Sequence, residues 1–297
     1  MDRIDAMQAF VAVADLQGFA PAARKLGLSP SGVTRLIAAL EDRLGARLLQ
    51  RTTRSVTLTD VGVRYLERVR RILTDVEEAE GSVEGERTRP SGRLVVSAPI
   101  GFGRLHVSPV MSAYLMRYPE VSGELRLSDR MISLVEDGVD LATRIGDLPD
   151  SSLVARHIGE TRRIVVASYT YLKQRGEPKT PEAIGSHETI HFGATTASPD
   201  WRFVENGREI RVACTPRFTT GSADAAIQYA ERGGGLTRVL AYQAADAIKA
   251  GRLKIVLEKF EEPPLPIHLV YPTSRLLSAK VRAFVDLVME SCDWHFG

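Results

Sequence analysis

The stretch Ser29-Pro30-Ser31-Gly32-Val33-Thr34-Arg35-Leu36-Ile37-Ala38-Ala39-Leu40-Glu41-Asp42-Arg43-Leu44 decides how this chain is read. Ser29 can accept from the free N–H groups of a helix start, and Pro30 fits the first turn, where a missing N–H costs nothing. Val33, Leu36, Ile37, Leu40 and Leu44 recur at helical spacing and predict a buried stripe. The opposite face carries Ser31, Gly32, Thr34, Arg35, Ala38 and Ala39. Small residues let a backbone approach a groove closely, and Ser, Thr and Arg can hydrogen-bond phosphates or base edges. A merely solvated helix face has a similar composition, so the neighbouring segments must decide.

Working upstream, Ala22, Ala23 and Leu26 predict a second short helix, with Gly27-Leu28 as a tight turn into the first stretch. Before it, Ile4, Met7, Phe10, Val11 and Ala14 predict a helix that stops at Gly18. Two short helices joined by a Gly-containing turn make a helix-turn-helix, whose second helix enters the major groove of DNA. Downstream, Val56 and Leu58 alternate with polar residues as in a half-buried strand. The run Leu48 to Leu58 reads as a two-stranded wing with a tip of two arginines and three hydroxyls, Arg51-Thr52-Thr53-Arg54-Ser55. Alone such a tip is an ordinary hairpin. Beside a helix-turn-helix it becomes a phosphate clamp.

Charge supports a polyanion partner for this head. Residues 24–54 hold seven bases and two acids, a local charge of +5 within a chain of net charge +2. Residues 73–86 then carry six acids and no base. A basic head followed by an acidic segment directs the head alone toward nucleic acid.

In that acidic segment Val69, Val76 and Val83 lie seven apart, with Ile72 and Ala79 three after the first two. This is a heptad pattern, extended backwards by Tyr65 and Leu66, and Thr59 can cap the helix. The seam packs either on the chain's own body or on a second subunit. Pairing two subunits through residues 59–87 would set two heads on neighbouring half-sites. Arg87 to Gly92 mixes charge, Pro and Gly and reads as a hinge.

Beyond the hinge, strand and helix signals alternate. Leu94-Val95-Val96, Leu125/Leu127 and Val139 to Ile145 read as strands, with helices near 103–117 and 130–136 between them. Ile164 to Ala167, Arg252 to Val256 and Ile267 to Tyr271 follow, then a final helix near 278–291. Such alternation predicts parallel sheets with crossover helices, arranged as two α/β lobes with chain crossings near 160 and 266.

The runs Phe19 to Leu26, Ser29 to Ile37 and Leu40 to Gly45, together with Leu48, Arg51, Arg54 and Leu58-Thr59-Asp60-Val61-Gly62, resemble the DNA-binding domain of LysR-type transcriptional regulators. The body resembles their effector domains through Tyr118-Pro119-Glu120-Val121, Asp140-Leu141-Ala142, Arg144-Ile145-Gly146, Gly233-Gly234-Gly235-Leu236 and Val270-Tyr271-Pro272. The two resemblances cover nearly the whole chain. They imply an α+β multidomain protein: a winged helix-turn-helix over 1–58, a linker helix and hinge over 59–90, and an effector domain over 91–297. That domain has the two-lobed, periplasmic-binding-protein-like α/β fold, lobe I being 91–160 with 267–297 and lobe II 161–266. Departures are Gly32 in place of Ala, Thr34 in place of Ser, Leu49 in place of Phe, and Tyr169 in place of Pro.

The resemblance implies contacts to double-stranded operator or promoter DNA from Ser31, Thr34, Arg35, Arg51 and Arg54. Ser29 and Thr53, at the helix start and in the wing tip, complete the candidate set. For the effector, ligands of open α/β sheets bind at the carboxyl ends of strands. Those ends place Ser97, Pro99, Gly101, Phe102, Ser128, Asp129 and Arg144 in one lobe and Thr220, Gly221 and Ser222 in the other. Helix starts near 102 and 222 favour an anion, so the expected effector is a small organic acid or an aromatic molecule. Arg144 could equally serve a structural ion pair. A homodimer, by family expectation a homotetramer, and RNA polymerase are the protein partners to consider.

No cofactor or catalytic pattern emerges. Gly101-x-Gly103 lacks the third glycine of a dinucleotide loop, since position 106 is His, and no phosphate-binding Gly-rich loop occurs. Gly233-Gly234-Gly235 suits a helix end. Cys292 and His295 lack further ligands at metal spacing, and Cys214 reads as a small buried residue. Two distant cysteines, an acidic N-terminus unlike a signal peptide and no long apolar run point to a cytoplasmic protein with no membrane span. An enzyme or solute-binding protein with a helical head would need convergent catalytic residues or an export signal. A sequence-indifferent DNA-compacting protein would leave the two-lobed body unexplained.

Overall fold

Helix α1 (Arg3–Leu16) begins where Asp2 accepts the Ile4 N–H at 2.9 Å. It ends at Gln17, whose φ of 50° is left-handed, one residue before the expected stop at Gly18. Gly18 is instead extended and starts helix α2 (Phe19–Leu26). Gly27 supplies the left-handed turn at φ 66°, a conformation with little cost for glycine. Helix α3 (Pro30–Leu44) follows, with Ser29 accepting the Gly32 N–H at 3.1 Å as the sequence predicts. Strands β1 (Leu49–Arg51) and β2 (Val56–Leu58) pair antiparallel, with Leu49 opposite Leu58. Helix α4 (Asp60–Val83) completes this part of the chain.

This computed structural model describes residues 2–51, 56–83, 89–148, 153–193, 199–273 and 278–296. The chain divides into two units, Met1–Arg89 and Pro90–Gly297. In the first, Ala9, Phe10, Val13, Ala22, Val33, Ile37, Leu40 and Leu48 form a shared core. Leu44 departs from the expected stripe: it is 42% exposed, because the helix ends there and its last turn projects beyond the core.

The second unit holds two sheets. Strands β3 (Gly92–Ala98), β4 (Val121–Leu127), β5 (Leu141–Ile145), β6 (Leu153–Thr161), β14 (Leu265–Pro272) and β15 (Trp294–Phe296) form one, in the order β15-β6-β14-β5-β3-β4. The other contains β7 (Arg163–Ser168), β8 (Thr189–Phe192), β11 (Pro216–Thr220), β12 (Leu236–Leu240) and β13 (Leu253–Val256), in the order β11-β8-β12-β7-β13. Strands β9 (Trp201–Glu205) and β10 (Arg208–Val212) make a separate hairpin.

Both large sheets are mixed rather than parallel. β3 runs parallel to β4 and β5, but β14 lies antiparallel between β5 and β6. The chain leaves the first sheet after β6 and re-enters it as β14 from the other lobe, so its direction is reversed. In the second sheet β7 is antiparallel to both β12 and β13.

Helices cover the sheets. After β3 the chain forms one helical run: α5 (Ile100–Phe102), a π-helical turn Gly103–Val107, and α6 (Ser108–Arg117). Pro109 has no N–H to offer Leu105, and the widened turn accommodates that loss. Helices α7 (Tyr169–Arg175), α8 (Ala223–Glu231), α9 (Ala241–Lys249) and α10 (Ala279–Ser291) complete the set. The helix expected near 130–136 is absent. Those residues form turns, in which Ser133 accepts the Glu136 N–H through its hydroxyl and the Asp137 N–H through its carbonyl. Side-chain bonding of this local kind competes with a helix. No helix among the described residues is long and apolar enough to cross a membrane.

Candidate nucleic-acid interface and effector cleft

In the first unit, α3 is held at three points. Its apolar side enters the core through Val33, Ile37 and Leu40. Its start is capped by Ser29, whose hydroxyl lies 3.1 Å from that of Ser31. Its end is anchored by Glu41, which is 3% exposed. One Glu41 oxygen accepts the N–H groups of Leu48 at 2.8 Å and Leu49 at 3.1 Å; the other accepts Arg47 at 3.1 Å. A buried carboxylate bonded to the first residues of the wing fixes the wing root to α3. In the sequence Glu41 counts only as one of two acids in the basic head, and its partners show its role.

On the outward side, Ser31 and Arg35 are exposed and Thr34 is half-buried. The Thr34 hydroxyl donates to the Pro30 carbonyl at 2.9 Å, which leaves its oxygen able to accept. Gly32 carries no side chain where a Cβ would meet the Ser29 hydroxyl at 3.2 Å, so its departure from Ala relieves the cap. Leu49, another departure, is buried in the head's core. Strand β1 ends at Arg51. Thr53 and Arg54 lie outside the described residues, as does the side chain of Arg51.

Thr59 joins the wing to α4. Its hydroxyl donates to the Arg47 carbonyl at 2.8 Å and accepts the Gly62 N–H at 2.9 Å, the cap expected from sequence. Gly62 must lack a side chain, because a Cβ there would stand 2.1 Å from the Leu48 carbonyl oxygen. Tyr65 packs on Phe10 with ring centroids 5.6 Å apart, Leu66 joins the head's core, and Val69 is buried. Arg70 pairs with Asp15 of α1. The first part of the heptad seam therefore packs on the chain's own head, while Ile72 remains 43% exposed.

In the second unit a cavity of about 80 Å³ opens between the two sheets' edges. Ile100, Gly101, Arg104, Leu105 and Asp129 line one side; Phe192, Gly221, Ser222, Ala223, Asp224 and Gln243 line the other. Of the residues expected from sequence, Gly101, Asp129, Gly221 and Ser222 come together here. The rest fall elsewhere. Ser97 is buried in β3. Pro99 precedes α5, and the Ser128 hydroxyl accepts the Arg130 N–H at 3.1 Å. Thr220 accepts the Ser222 N–H at 3.1 Å.

Phe102 departs most from expectation. It is fully buried and packs edge-on against Tyr242 and Trp294, because its helical position turns it inward while Gly101 and Arg104 face the cleft. Among the described residues Arg144 donates to the Ile132 carbonyl at 2.9 Å and pairs with no carboxylate, and burial holds its pKa below the usual guanidinium value.

Sequence reading missed the cleft's polar side chains. Arg104, on the π turn, bonds both Asp224 oxygens, at 2.9 and 3.0 Å, and links the two lobes. Arg104 and Asp224 are 120 positions apart, so no local pattern announces the pair. Gln243 accepts the Leu240 N–H at 2.9 Å, which turns its amide nitrogen toward the Tyr242 hydroxyl at 3.4 Å. Burial, reinforced by the charge of Asp129, raises the Tyr242 pKa well above the phenol range and keeps that hydroxyl protonated. The helix starts proposed for an anion are already occupied. Asp129 accepts the Ile100 N–H at 3.0 Å, and Ser222 accepts the Ala225 N–H at 3.3 Å beside Asp224 in the first turn of α8.

Burial pushes the Cys214 thiol up to about 11, which fits a packing role. Among the described residues no group of three or more His, Cys, Asp or Glu side chains could hold a metal ion.

Comparison with known proteins agrees with both units. Residues 4–63 match the model for bacterial regulatory helix-turn-helix proteins of the lysR family, and residues 87–293 match the LysR substrate binding domain. An HTH-type transcriptional repressor of Pseudomonas aeruginosa is 35% identical over 292 residues, covering 98% of this chain and 92% of its own. Among solved structures, CrgA, a LysR-type transcriptional regulator from Neisseria meningitidis, aligns with a TM-score of 0.62 at 29% identity, covering 96% of this chain and 97% of its own. The Vibrio cholerae virulence activator AphB aligns with a TM-score of 0.62 at 27% identity, covering 98% and 99%. The chain thus belongs to the LysR family: it is a helix-turn-helix transcriptional regulator with an effector-binding domain.

Proposed function

We propose that this regulator reads its operator with the outward side of α3, through Ser31, Thr34 and Arg35, while Ser29 and the wing residues Arg51, Thr53 and Arg54 hold the phosphate backbone. The exposed Ser31 and Arg35 on a helix fixed by Glu41 and Ser29 are the observation that carries this reading. Phosphate contacts supply affinity and salt dependence, and base contacts supply sequence choice. The inter-lobe cleft is the effector site, and ligand binding there shifts the population of DNA-bound states. Two chains pair through α4, with a tetramer and RNA polymerase as further assembly partners. Such a protein works in the cytoplasm and has no enzymatic step.

A gel shift on the DNA upstream of its own gene, challenged with unrelated competitor DNA, tests the reading. The expected result is a retained complex whose stability changes with metabolite additions. Equal loss to any competitor would identify a sequence-indifferent binder instead.

A further inference from the structure

The lining of the cleft has a charge sign that bears on its ligand. It contains one arginine and two aspartates. Arg104 is already neutralised by both oxygens of Asp224. Asp129 uses one oxygen, Oδ1, for the Ile100 N–H. Among the described residues its other oxygen has no hydrogen-bond partner, and the side chain is exposed to the cavity. An incoming carboxylate would therefore meet no spare cation, an occupied helix start and a like charge.

The cleft also holds two neutral polar side chains, Gln243 and Ser222. Gln243 spends its carbonyl oxygen on Leu240, and its amide nitrogen lies near Gly101, where a Cβ would stand 3.7 Å away. Ile100, Leu105 and Phe192 provide apolar walls. A complementary ligand offers a proton donor, best a positive charge, to Asp129 and an apolar or aromatic body to those walls.

We infer that the cleft selects small amines, aromatic ones in particular, over organic acids, with Asp129 as the counter-charge and the Arg104–Asp224 pair bridging the two sides. This deepens the effector-cleft reading and rests on it. The expectation of an aromatic ligand survives. The expectation of an acid gives way, because the cleft's one arginine is paired with Asp224 and the lining keeps a net negative charge through Asp129. An ammonium against a carboxylate makes a charge-assisted bond, roughly twice as strong as a neutral one.

The test uses the full-length protein and three probes of matched shape: benzylamine, benzyl alcohol and benzoate, at equal millimolar concentration and ionic strength. Thermal melting and titration calorimetry are read for the wild type and for Asp129→Asn, which keeps the acceptor for the Ile100 N–H. Benzylamine should stabilise the wild type most and benzoate least. Asp129→Asn should weaken benzylamine by roughly tenfold and narrow the gap to benzyl alcohol. The wild-type ranking is decisive even if the variant folds poorly.

Equal binding of benzylamine and benzoate, or benzylamine binding untouched by Asp129→Asn, overturns the inference. Benzoate binding that Arg104→Ala abolishes overturns it too, while leaving the cleft as the effector site. No response to any probe overturns it as well. The metabolite dependence of operator binding then judges the effector-cleft reading separately.

Discussion

Arg162 and Glu261 are bonded at 3.0 Å across the two connections that join the sheets of the effector domain. Arg162 lies between β6 and β7, and Glu261 between β13 and β14. The same guanidinium nitrogen reaches Glu258 at 3.2 Å, and the next residue, Arg163, reaches Glu262 at 3.3 Å. The lobes are thus fastened where the chain crosses, on the strands' connecting side, while Arg104 and Asp224 meet at the cleft.

Arg162→Ala should destabilise the effector domain by about 1–3 kcal/mol, the cost of stripping a partly buried carboxylate of its partner. The Glu261 side chain is only 10% exposed, so water recovers little of the loss. A urea titration should show a lower midpoint, and Arg162→Lys should recover only part of it, since the ammonium is a more strongly hydrated point charge on a different stem. An unchanged midpoint would mean the crossings are held by packing alone.

Glu41→Ala should uncouple the wing from α3. Two backbone N–H groups, those of Leu48 and Leu49, would lose their acceptor in a buried setting, costing about 1–3 kcal/mol. DNA affinity should fall although no DNA-facing residue has changed, because the wing root is no longer fixed. Melting and gel shift on the same preparation check this. A weaker melt with full affinity would separate the wing root from DNA binding.

How far the sequence could be read follows from where each signal lies. The helix-turn-helix was legible because its determinants are local: a Ser-Pro start, a Gly turn and a 3.6-residue stripe within one short segment. Glu41 escaped because its burial depends on partners brought round by the wing. In the body, β3, β7 and α10 were legible as apolar runs with clear ends. The antiparallel insertion of β14 was not, since strand direction depends on a crossing more than a hundred residues long. The cleft residues predicted from strand ends included Gly101 and Asp129 but also Phe102, whose rotation about the helix only the packed aromatic cluster fixes. Arg104, Asp224 and Gln243 carry no local pattern at all.

Acid should loosen the effector domain through its histidines. Burial lowers the pKa of His106, whose Nε2 has no partner among the described residues and whose ring packs among Phe102, Tyr242 and Phe296. Burial, then the neighbouring His157, lowers His268; burial, then Arg175, lowers His187. A group whose folded pKa lies below its unfolded value binds protons more tightly when unfolded. Its contribution is complete above the ordinary value of 6.5 and is lost as pH falls through 6.5 toward the folded value. Urea midpoints should therefore drop between pH 7 and 5, and His106→Phe should flatten the slope. A slope unchanged in that variant would assign the effect to other groups.

Arg35→Ala should cost about 1–3 kcal/mol at one operator position and relax sequence choice there, whereas Arg54→Ala should weaken all sequences alike and reduce the salt slope. The contrast follows from the two roles proposed for the side chains: one at the base edges, one on the phosphates. Binding curves on the operator and on a scrambled duplex, each at several salt concentrations, separate them. If Arg35→Ala changes only the salt slope, α3 lies on the backbone rather than in the groove.

Ile72→Glu should dissociate the dimer proposed through α4 without unfolding the head. Tyr65, Leu66 and Val69 are spent on the chain's own core, so charge at Val69 would unfold the head and answer nothing. Ile72, three residues further along the seam, is 43% exposed and has no role in that core. A helix that continues apolar beyond the body it packs on has a seam left for a second copy. Sedimentation of the variant should give a monomer with a melt close to wild type. Its operator affinity should drop by far more than a single surface charge explains, because two heads on one operator share the binding energy. A variant that sediments as the wild type does would move the dimer interface away from α4.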